Sequence, residues 1–383
     1  MRRGHTVGIE TWDRWREPCE AEGIEFAAAP IYEVWPPDGK ALKPYQAAVR
    51  AAGDSRALIR SWDPDAVVVD ILTVASALAA QAEDRPWATI VPHVLPTAEP
   101  GFPPYSIGAR LPRTRAGARL WQLFDPLVRQ GVEQGRVELN GARGRVGLPP
   151  LDHLHGGISR ELAIVATFPQ LEYPRRHWEP SAHVTGPLLW EQPYHDVELP
   201  PGDDPLVLVA PSTSQDPEQR MLAAALEGLA REPVRVIATY NRRVPPRPLA
   251  VPPNARLVDW LSYQRTMPEC SAVVCHAGHG TLARALALGV PVVACPAAGD
   301  MAENSARVAW AGVGVSLPRR LVTARGIKLA VRRLLGEPGY AERARSVREW
   351  SELNDGAANA AALVEQFAAG ATSTRAGRDA VSA

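Results

Sequence analysis

Short runs of consecutive apolar residues, each separated from the next by a stretch of helical length, constrain the fold of this chain more than any other feature. Strands that are buried on both faces of a parallel sheet have this all-apolar pattern. The runs lie at residues 66–69, 87–91, 163–166, 206–209, 234–238, 272–275 and 290–294. Stretches rich in Ala and Leu lie between them, for example at residues 74–83, 218–230 and 281–288. The alternation predicts an α/β protein with parallel sheets.

The length of the chain predicts two domains. Its 383 residues exceed the ~250–300 residues at which a single core stops growing. Prolines cluster before residue 206, where the strand pattern restarts, so we predict a linker over residues 187–204. An N-terminal domain would then span residues 1–186 and a C-terminal domain residues 205–368. Residues 369–383 are mostly small and polar, and we expect a disordered tail there.

The charge balance and the cysteine pattern exclude several classes of protein. The 42 basic side chains match the 42 acidic ones, so no net field draws the chain to nucleic acid or to an anionic bilayer. No apolar run approaches the ~18–20 residues that a membrane span needs. The four cysteines form no C-x-x-C pair, which argues against a disulfide framework or a zinc site. We expect a cytoplasmic protein without nucleic-acid partners or stable membrane insertion.

One glycine-rich segment carries most of the chemical information. The apolar run at 272–275 ends at His276 and leads into Gly278-His279-Gly280-Thr281, where a helix would begin. Glycines let a backbone approach a ligand, and the unpaired N–H groups of a first helical turn attract anions. We interpret the segment as a phosphate cradle, with His276 as a further hydrogen-bonding partner. A purely structural His276, and a Thr281 that only caps the helix, are the alternatives.

The same glycines also match a dinucleotide-binding fingerprint. Gly278-x-Gly280-x-x-Ala283 has the required spacing, and Asp300 lies 20 residues beyond Gly280. Asp300, however, falls after the end of the 290–294 run, where a ribose-binding acid would not sit. An NAD(P)-dependent oxidoreductase is therefore the less favoured interpretation.

The segment resembles the signature of the inverting nucleotide-sugar-dependent glycosyltransferases of the UDP-glucosyl and macrolide type. That family has the GT-B fold, in which two Rossmann-like domains face a cleft. The matching residues are His276, Gly278, Gly280, Thr281, Gly289-Val290-Pro291, Asp300 and Asn304. The resemblance implies a UDP- or TDP-sugar as donor substrate, with no separate cofactor and no metal ion. It also implies that Trp260 stacks on the donor base, that the loop containing Thr213 faces the diphosphate, and that Asp300 grips the sugar.

Several positions depart from the family pattern. Met301 replaces a glutamine that contacts the sugar, and Arg284 replaces a ribose-binding glutamate, so an Arg approaching the phosphate is an alternative there. Asp70 matches the aspartate that orients the catalytic histidine, although Asp70 could instead cap the following helix. The histidine itself would lie in a first βα unit that we expect to be missing from this chain. His93 is an alternative base near the expected cleft.

The resemblance also gives expectations for the acceptor and for the activity. Leu111, Leu120, Trp121, Phe124, Leu127 and Val128 make a helix-like apolar stripe among arginines. Such a stripe is either a core face or an apolar acceptor pocket with a cationic rim. We predict a transferase that moves a sugar to a hydroxyl of a hydrophobic small molecule or glycolipid, and we allow for a homodimer. A catalytically inactive relative that binds nucleotide or a partner is the main alternative.

Overall fold

The computed structural model describes residues 1, 3–31, 44–97, 99–152, 157–191, 196–212, 215–297 and 299–382. The strands of the N-terminal half are β1 (Gly8–Thr11), β2 (Glu25–Ala28), β3 (Val67–Asp70), β4 (Trp87–Val91), β5 (Ala163–Val165) and β6 (Ala182–Val184). Its helices are α1 (Arg16–Ala21), α2 (Pro44–Trp62), α3 (Val74–Ala82), α4 (Arg115–Gln122) and α5 (Asp125–Arg145). The strands β3, β4, β5 and β6 form one parallel sheet in that order, and β1 pairs with β2 in a second parallel sheet.

The C-terminal half contains one six-stranded parallel sheet. Its strands are β7 (Leu206–Ala210), β8 (Arg235–Thr239), β9 (Ala255–Val258), β10 (Ala272–Cys275), β11 (Val292–Ala294) and β12 (Gly314–Ser316). They lie in the order β12-β11-β10-β7-β8-β9. The helices are α6 (Arg220–Leu229), α7 (Tyr263–Thr266), α8 (His279–Ala287), α9 (Met301–Ala311), α10 (Ala324–Gly336), α11 (Pro338–Leu353) and α12 (Gly356–Ser382). The predicted α/β architecture with parallel sheets is confirmed.

The packing of β7 shows why its sequence is apolar throughout. Leu206 and Leu208 face the side of the sheet that α8 and α11 cover, whereas Val207 and Val209 face the side covered by α6 and α10. All four are buried. Burial of such a side chain contributes about 1.5–3 kcal/mol. Both faces of this central strand therefore favour aliphatic residues, and no alternation with polar residues remains.

Helix α12 corrects the predicted domain boundary. We expected residues up to 368 to belong to the C-terminal domain, but α12 packs on the N-terminal four-stranded sheet. Ala360 lies in one cluster with Ala88 of β4 and Ile164 of β5. Further along the helix, Glu365 forms an ion pair with Arg3. The apolar face of α12 covers strands that would otherwise expose apolar residues to water.

The end of the chain also differs from expectation. Where the sequence predicted a disordered tail over residues 369–383, α12 continues as helix to Ser382. Once the first turns of a helix are docked, each further residue adds a hydrogen bond without a new nucleation step. Between Val184 and Leu206, where the sequence predicted a linker over residues 187–204, the described residues contain no helix or strand; residues 192–195 lie outside the described part. Gly186 begins this segment with a φ of +100°, a conformation that favours glycine.

A buried ionic cluster connects the two halves. Arg307 of α9 donates from Nε to Glu303 at 2.7 Å and lies 3.5 Å from the carboxylate of Glu172, which follows β5. The Arg307 guanidinium also lies over the Tyr173 ring, 3.4 Å from its centroid. Burial raises the pKa of Glu172, and the charge of Arg307 opposes that rise. Because removal of one partner would leave a buried charge uncompensated, this cluster fixes the position of α9 against the N-terminal half.

Within the described residues, no helix is both long enough and apolar enough to cross a bilayer.

Candidate functional site

The strand order of the C-terminal sheet reverses beside β7. The chain moves outward from β7 to β8 and β9 and then returns to place β10 on the other side of β7. In an open parallel sheet, such a reversal leaves a crevice beyond the carboxyl ends of the two central strands, where ligands bind. Cys275, the last residue of β10, is paired with Ala210, the last residue of β7. The residues that follow these two strands therefore border the crevice.

His276 is the first residue after β10. Its Nδ1 lies 3.3 Å from the carbonyl oxygen of Ala210, so the proton on Nδ1 is donated to that oxygen and Nε2 is left free. Burial lowers the pKa of His276, and the bond to Ala210 and the charge of Asp300 oppose this. The ring is consequently neutral at pH 7. A Cβ built on Gly278 would lie 2.2 Å from Nε2, so only glycine at 278 leaves room for this ring position.

The glycine turn presents the start of α8 to the same crevice. Ala277 has a φ of +62°, and Gly278 is the N-cap of a helix that begins at His279. The sequence placed the helix start at Gly280-Thr281, which is too late; Thr281 lies in the first turn and does not cap it. The first backbone bond of α8 runs from the Leu282 N–H to the Gly278 oxygen at 3.1 Å.

The N–H groups of the opening turn remain available. In the described part of the chain, the N–H groups of His279, Gly280 and Thr281 have no hydrogen-bond partner. Gly280 is exposed, and a Cβ built on it would meet nothing within 4 Å. The unpaired N–H groups and the helix dipole both favour a negative charge at this position. The turn is therefore open and suited to an anion.

Asp300 and Asn304 support the glycine turn from α9. The side-chain amide of Asn304 donates to the Ala277 oxygen at 3.0 Å and to Asp300 Oδ2 at 3.3 Å. Asp300 itself is the N-cap residue of α9. One buried amide thus links the strained residue of the turn with the carboxylate, and the structure brings His276, Gly278 and Asp300 together.

A cavity of about 310 Å³ adjoins His276. Arg220 and Arg319 lie in its wall. Arg220 forms an ion pair with Glu218, whereas the exposed guanidinium of Arg319 has no partner among the residues that the structure describes. Within the same residues, no three His, Cys, Asp or Glu side chains converge as metal ligands.

Trp260 lies just beyond β9, at the same carboxyl edge of the sheet. Its side chain is half-buried, and the guanidinium of Arg242 lies 4.7 Å from the ring centroid. A partly exposed indole can stack on a flat ring. Thr213, which the sequence placed in a loop facing the diphosphate, lies outside the described residues.

Arg284 does not approach the phosphate turn, which the sequence allowed as an alternative. Its guanidinium donates to the backbone oxygen of Trp190 and lies 3.7 Å from the Glu191 carboxylate. Glu191 in turn accepts hydrogen bonds from the Ser262 hydroxyl at 2.8 Å and the Tyr263 N–H at 2.9 Å. Arg284 of α8 and the residues at the start of α7 therefore both hold the interdomain linker. The charge of Arg284 is balanced there by the Glu191 carboxylate.

Asp70 lies at the carboxyl end of β3. Its Oδ1 accepts a hydrogen bond from the Leu72 N–H at 2.8 Å. The carboxylate thus stabilises the turn that leads into α3, which is close to the helix-capping alternative. Within the described residues, no histidine is hydrogen bonded to Asp70, and its catalytic role stays a prediction.

His93, Tyr105 and His279 lie where the two halves of the chain approach each other. His93 follows β4, and its Nδ1 lies 2.8 Å from the Val94 oxygen and 3.3 Å from the Tyr105 hydroxyl. His279 of α8 reaches across to the Ala166 oxygen, 3.1 Å from its Nε2. The sequence singled out His93 but missed Tyr105 and His279. His279 occupied a variable position of the glycine motif, and the sequence contains no signal for a contact across 113 residues.

The apolar stripe near α4 and α5 is only partly buried. Leu120, Phe124 and Leu127 are exposed, whereas Leu111, Trp121 and Val128 are half-buried. The loop that precedes α4 approaches the cleft, since Ser106 donates its N–H to Glu303 of α9. The stripe is therefore available to an apolar molecule.

Comparison with known proteins places this geometry in a family. Residues 223–366 match the model of the erythromycin biosynthesis protein CIII-like C-terminal domain. The chain is 30% identical over 326 residues to the 4'-demethylrebeccamycin synthase of Lentzea aerocolonigenes, covering 82% of this chain and 76% of the relative. It is 28% identical to the O-mycaminosyltylonolide 6-deoxyallosyltransferase of Streptomyces fradiae, covering 96% and 92%.

Solved structures show the same fold. The glycosyltransferase of kitacinnamycin superposes with a TM-score of 0.73 at 22% identity and covers 96% of this chain and 92% of its own. The glycosyltransferase VinC, solved in complex with dTDP, has a TM-score of 0.63 at 19% identity, with coverages of 96% and 93%. Together with the paired parallel sheets and the glycine turn at the strand reversal, these matches show that the chain belongs to the natural-product glycosyltransferases of the UDP-glucosyl and macrolide type, which have the GT-B fold.

Proposed function

We propose that this protein transfers a sugar from a nucleoside-diphosphate sugar to a hydroxyl group of a hydrophobic small molecule, with inversion at the anomeric carbon. The observation that carries the proposal is the unpaired opening turn of α8 beside His276. A diphosphate placed there would accept hydrogen bonds from the N–H groups of the turn. Because charge develops on the leaving phosphate during transfer, these donors stabilise the transition state more than the ground state.

The donor is proposed to be a UDP- or TDP-sugar, held without a cofactor or metal ion. The partly exposed Trp260 supplies a stacking surface for the base, and the Arg319 guanidinium adds a positive charge to the cavity beside His276. The dTDP in VinC supports a thymidine nucleotide. The charge of Asp300 acts on the pKa of His276, so Asp300 lies near the proposed diphosphate site. This position supports a contact between Asp300 and the sugar. Met301 carries no polar group for a second contact.

The acceptor is proposed to be an apolar, flat alcohol. The exposed apolar residues of α4 and α5 support this, as does the similarity to a 4'-demethylrebeccamycin synthase and an O-mycaminosyltylonolide 6-deoxyallosyltransferase. Positioning of donor and acceptor across the cleft lowers the barrier by removing the entropy loss from the chemical step. A cytoplasmic location and a homodimer stay predictions from the sequence. The oxidoreductase interpretation has lost its support, because Asp300 caps α9 instead of ending β11.

The protonation state of His276 predicts the direction in which nucleotide affinity changes with pH. Since Nδ1 donates to Ala210, Nε2 must take up a proton before it can donate to a phosphate oxygen. The pKa of His276 is lowered in the free protein, and a bound diphosphate would raise it. Nucleotide binding should therefore consume a proton, and the affinity should fall as the pH rises through the pKa of the complex.

Calorimetric titration of UDP and TDP tests this function. We expect one of them to bind, with proton uptake detected by repeating the titration in buffers of different ionisation enthalpy. His276→Ala should abolish binding, whereas His177→Ala, at an exposed position, should not change it. Release of the nucleoside diphosphate from its glucose conjugate then separates a transferase from an inactive relative. Unchanged affinity in His276→Ala would contradict the diphosphate role.

A further inference from the structure

His93 has the hydrogen-bonding arrangement of a proton acceptor. Its Nδ1 lies 2.8 Å from the backbone oxygen of Val94, and a carbonyl oxygen can only accept. Nδ1 therefore carries the proton, which it shares with the oxygen of the Tyr105 hydroxyl at 3.3 Å. The lone pair is left on Nε2. Among the described residues, Nε2 has no hydrogen-bond partner, and it is not buried.

Tyr105 and its loop place His93 opposite the donor side of the cleft. The next residue, Ser106, donates its N–H to Glu303 of α9 at 3.3 Å. Burial, together with the negative charges of Asp300 and Glu303, raises the pKa of Tyr105, so its hydroxyl stays protonated and lies near Asp300. The His93 and Tyr105 rings have centroids 6.0 Å apart and are tilted by 34°. The loop thus holds both side chains against the start of α9.

His279 gives an independent indication of where His93 lies. It is the first residue of α8, and its Nδ1 is a fully buried atom without a partner in the described part of the chain. Burial, and secondarily the charge of nearby His93, lowers the pKa of His279 to about 4. This electrostatic influence agrees with the place of His93 in the cleft that the Tyr105 contact and the Ser106–Glu303 hydrogen bond indicate.

We propose that His93 is the general base of this transferase and that Tyr105 is a residue that positions it. The proposal rests on the proposed function. Nε2 of His93 takes the proton of the acceptor hydroxyl while the acceptor oxygen forms a bond to the anomeric carbon. The bond between that carbon and the phosphate oxygen breaks, and its electron pair leaves with the nucleoside diphosphate into the turn at Gly280. The imidazolium keeps its Nδ1–H bond to Val94 and returns the second proton to solvent after product release.

Two acceptors of different acidity separate a base from a structural histidine. With TDP-glucose as donor, 2-phenylethanol must lose its proton during transfer, whereas 4-nitrophenol supplied above its own pKa is already an anion. We expect His93→Ala to reduce kcat by about 10²- to 10⁴-fold with the alcohol and far less with the phenolate. Added imidazole should restore part of the activity with the alcohol. TDP affinity, measured by calorimetry, should stay unchanged.

Two further variants refine the test. His183→Ala replaces an exposed histidine of β6 and should behave as the wild type. Tyr105→Phe removes one contact to Nδ1 and should lower kcat by about 2- to 10-fold at unchanged KM.

Equal losses with both acceptors in His93→Ala, without imidazole rescue, would overturn the assignment, as would full activity of His93→Ala with the alcohol. Wild-type protein that does not bind TDP or UDP would instead refute the proposed function itself, and the two failures are thus distinguishable.

Discussion

Replacement of Gly280 by alanine separates ligand binding from folding at the opening turn of α8. Nothing lies within 4 Å of a Cβ built at this position, and its backbone is helical without a positive φ. The new methyl group therefore meets no protein atom. It does occupy the space through which an anion would reach the free N–H groups of the turn.

Gly280→Ala should stabilise the fold but weaken the binding of the diphosphate. Alanine is favoured over glycine in a helix, so the free energy of unfolding should rise by about 0.5–1 kcal/mol. A diphosphate that is pushed away from one charge-assisted hydrogen bond should bind about 1.5–3 kcal/mol less tightly. This corresponds to a Kd about 10- to 150-fold higher.

Thermal melting and calorimetric titration of TDP or UDP measure both effects on the same sample. Gly141→Ala is a matched control, because Gly141 lies in α5 with nothing within 4 Å of its built Cβ; it should raise stability without changing nucleotide affinity. Gly278→Ala is the opposite case, since its methyl group would lie 2.2 Å from Nε2 of His276. That variant should displace the ring and lose affinity without gaining stability.

An unchanged Kd in Gly280→Ala, together with a raised melting temperature, would refute the reasoning. It would mean that the diphosphate does not approach this turn. The proposed function would then lose the observation that carries it.

Three further predictions concern Trp260 as a stacking surface for the base, Arg307 at the interface between the two halves, and His279 in the cleft. Trp260→Ala should raise the Kd for TDP or UDP by about 5- to 150-fold in calorimetry, as expected for the loss of about 1–3 kcal/mol of stacking. Arg307→Met leaves the buried carboxylates of Glu303 and Glu172 without their arginine and should lower stability to urea by about 3–5 kcal/mol; Arg348→Met, which breaks an exposed pair, should change it by less than about 1 kcal/mol. Because the pKa of His279 is about 4, against 6.5 ordinarily, the unfolded chain binds an extra proton between these values. Stability should fall by up to about 3 kcal/mol as the pH drops through this window, and urea titrations at both ends should show a smaller fall in His279→Gln.

The sequence predicted the central strands better than the edge strands. Every apolar run that we named is a strand, and all but β3, an edge strand that is nonetheless Val-rich, are central strands with both faces buried. The strands that were missed, β6, β9 and β12, lie at sheet edges and are partly exposed. Their mixed composition resembles that of loops. The strand β2 was missed for the same reason, since it forms a partly exposed pair with β1.

The glycine turn was also readable from the sequence. The apolar run, His276 and the closely spaced glycines are consecutive in the chain. These neighbouring residues determine the local backbone conformation of Ala277 and Gly278. The sequence could not show that α12 returns to the N-terminal sheet or that Arg284 anchors the linker. These outcomes depend on which surfaces remain uncovered after both halves have folded.

The amino-acid sequence by itself thus determined the parallel sheets and the glycine turn, because burial and backbone conformation are imposed by residues close together in the chain. The tertiary structure alone decided which side chains face each other across the cleft. His93, Tyr105 and His279 come from separate elements, and Arg307 meets Glu172 across 135 residues. Such pairs depend on how two folded surfaces fit, and no local pattern encodes that fit.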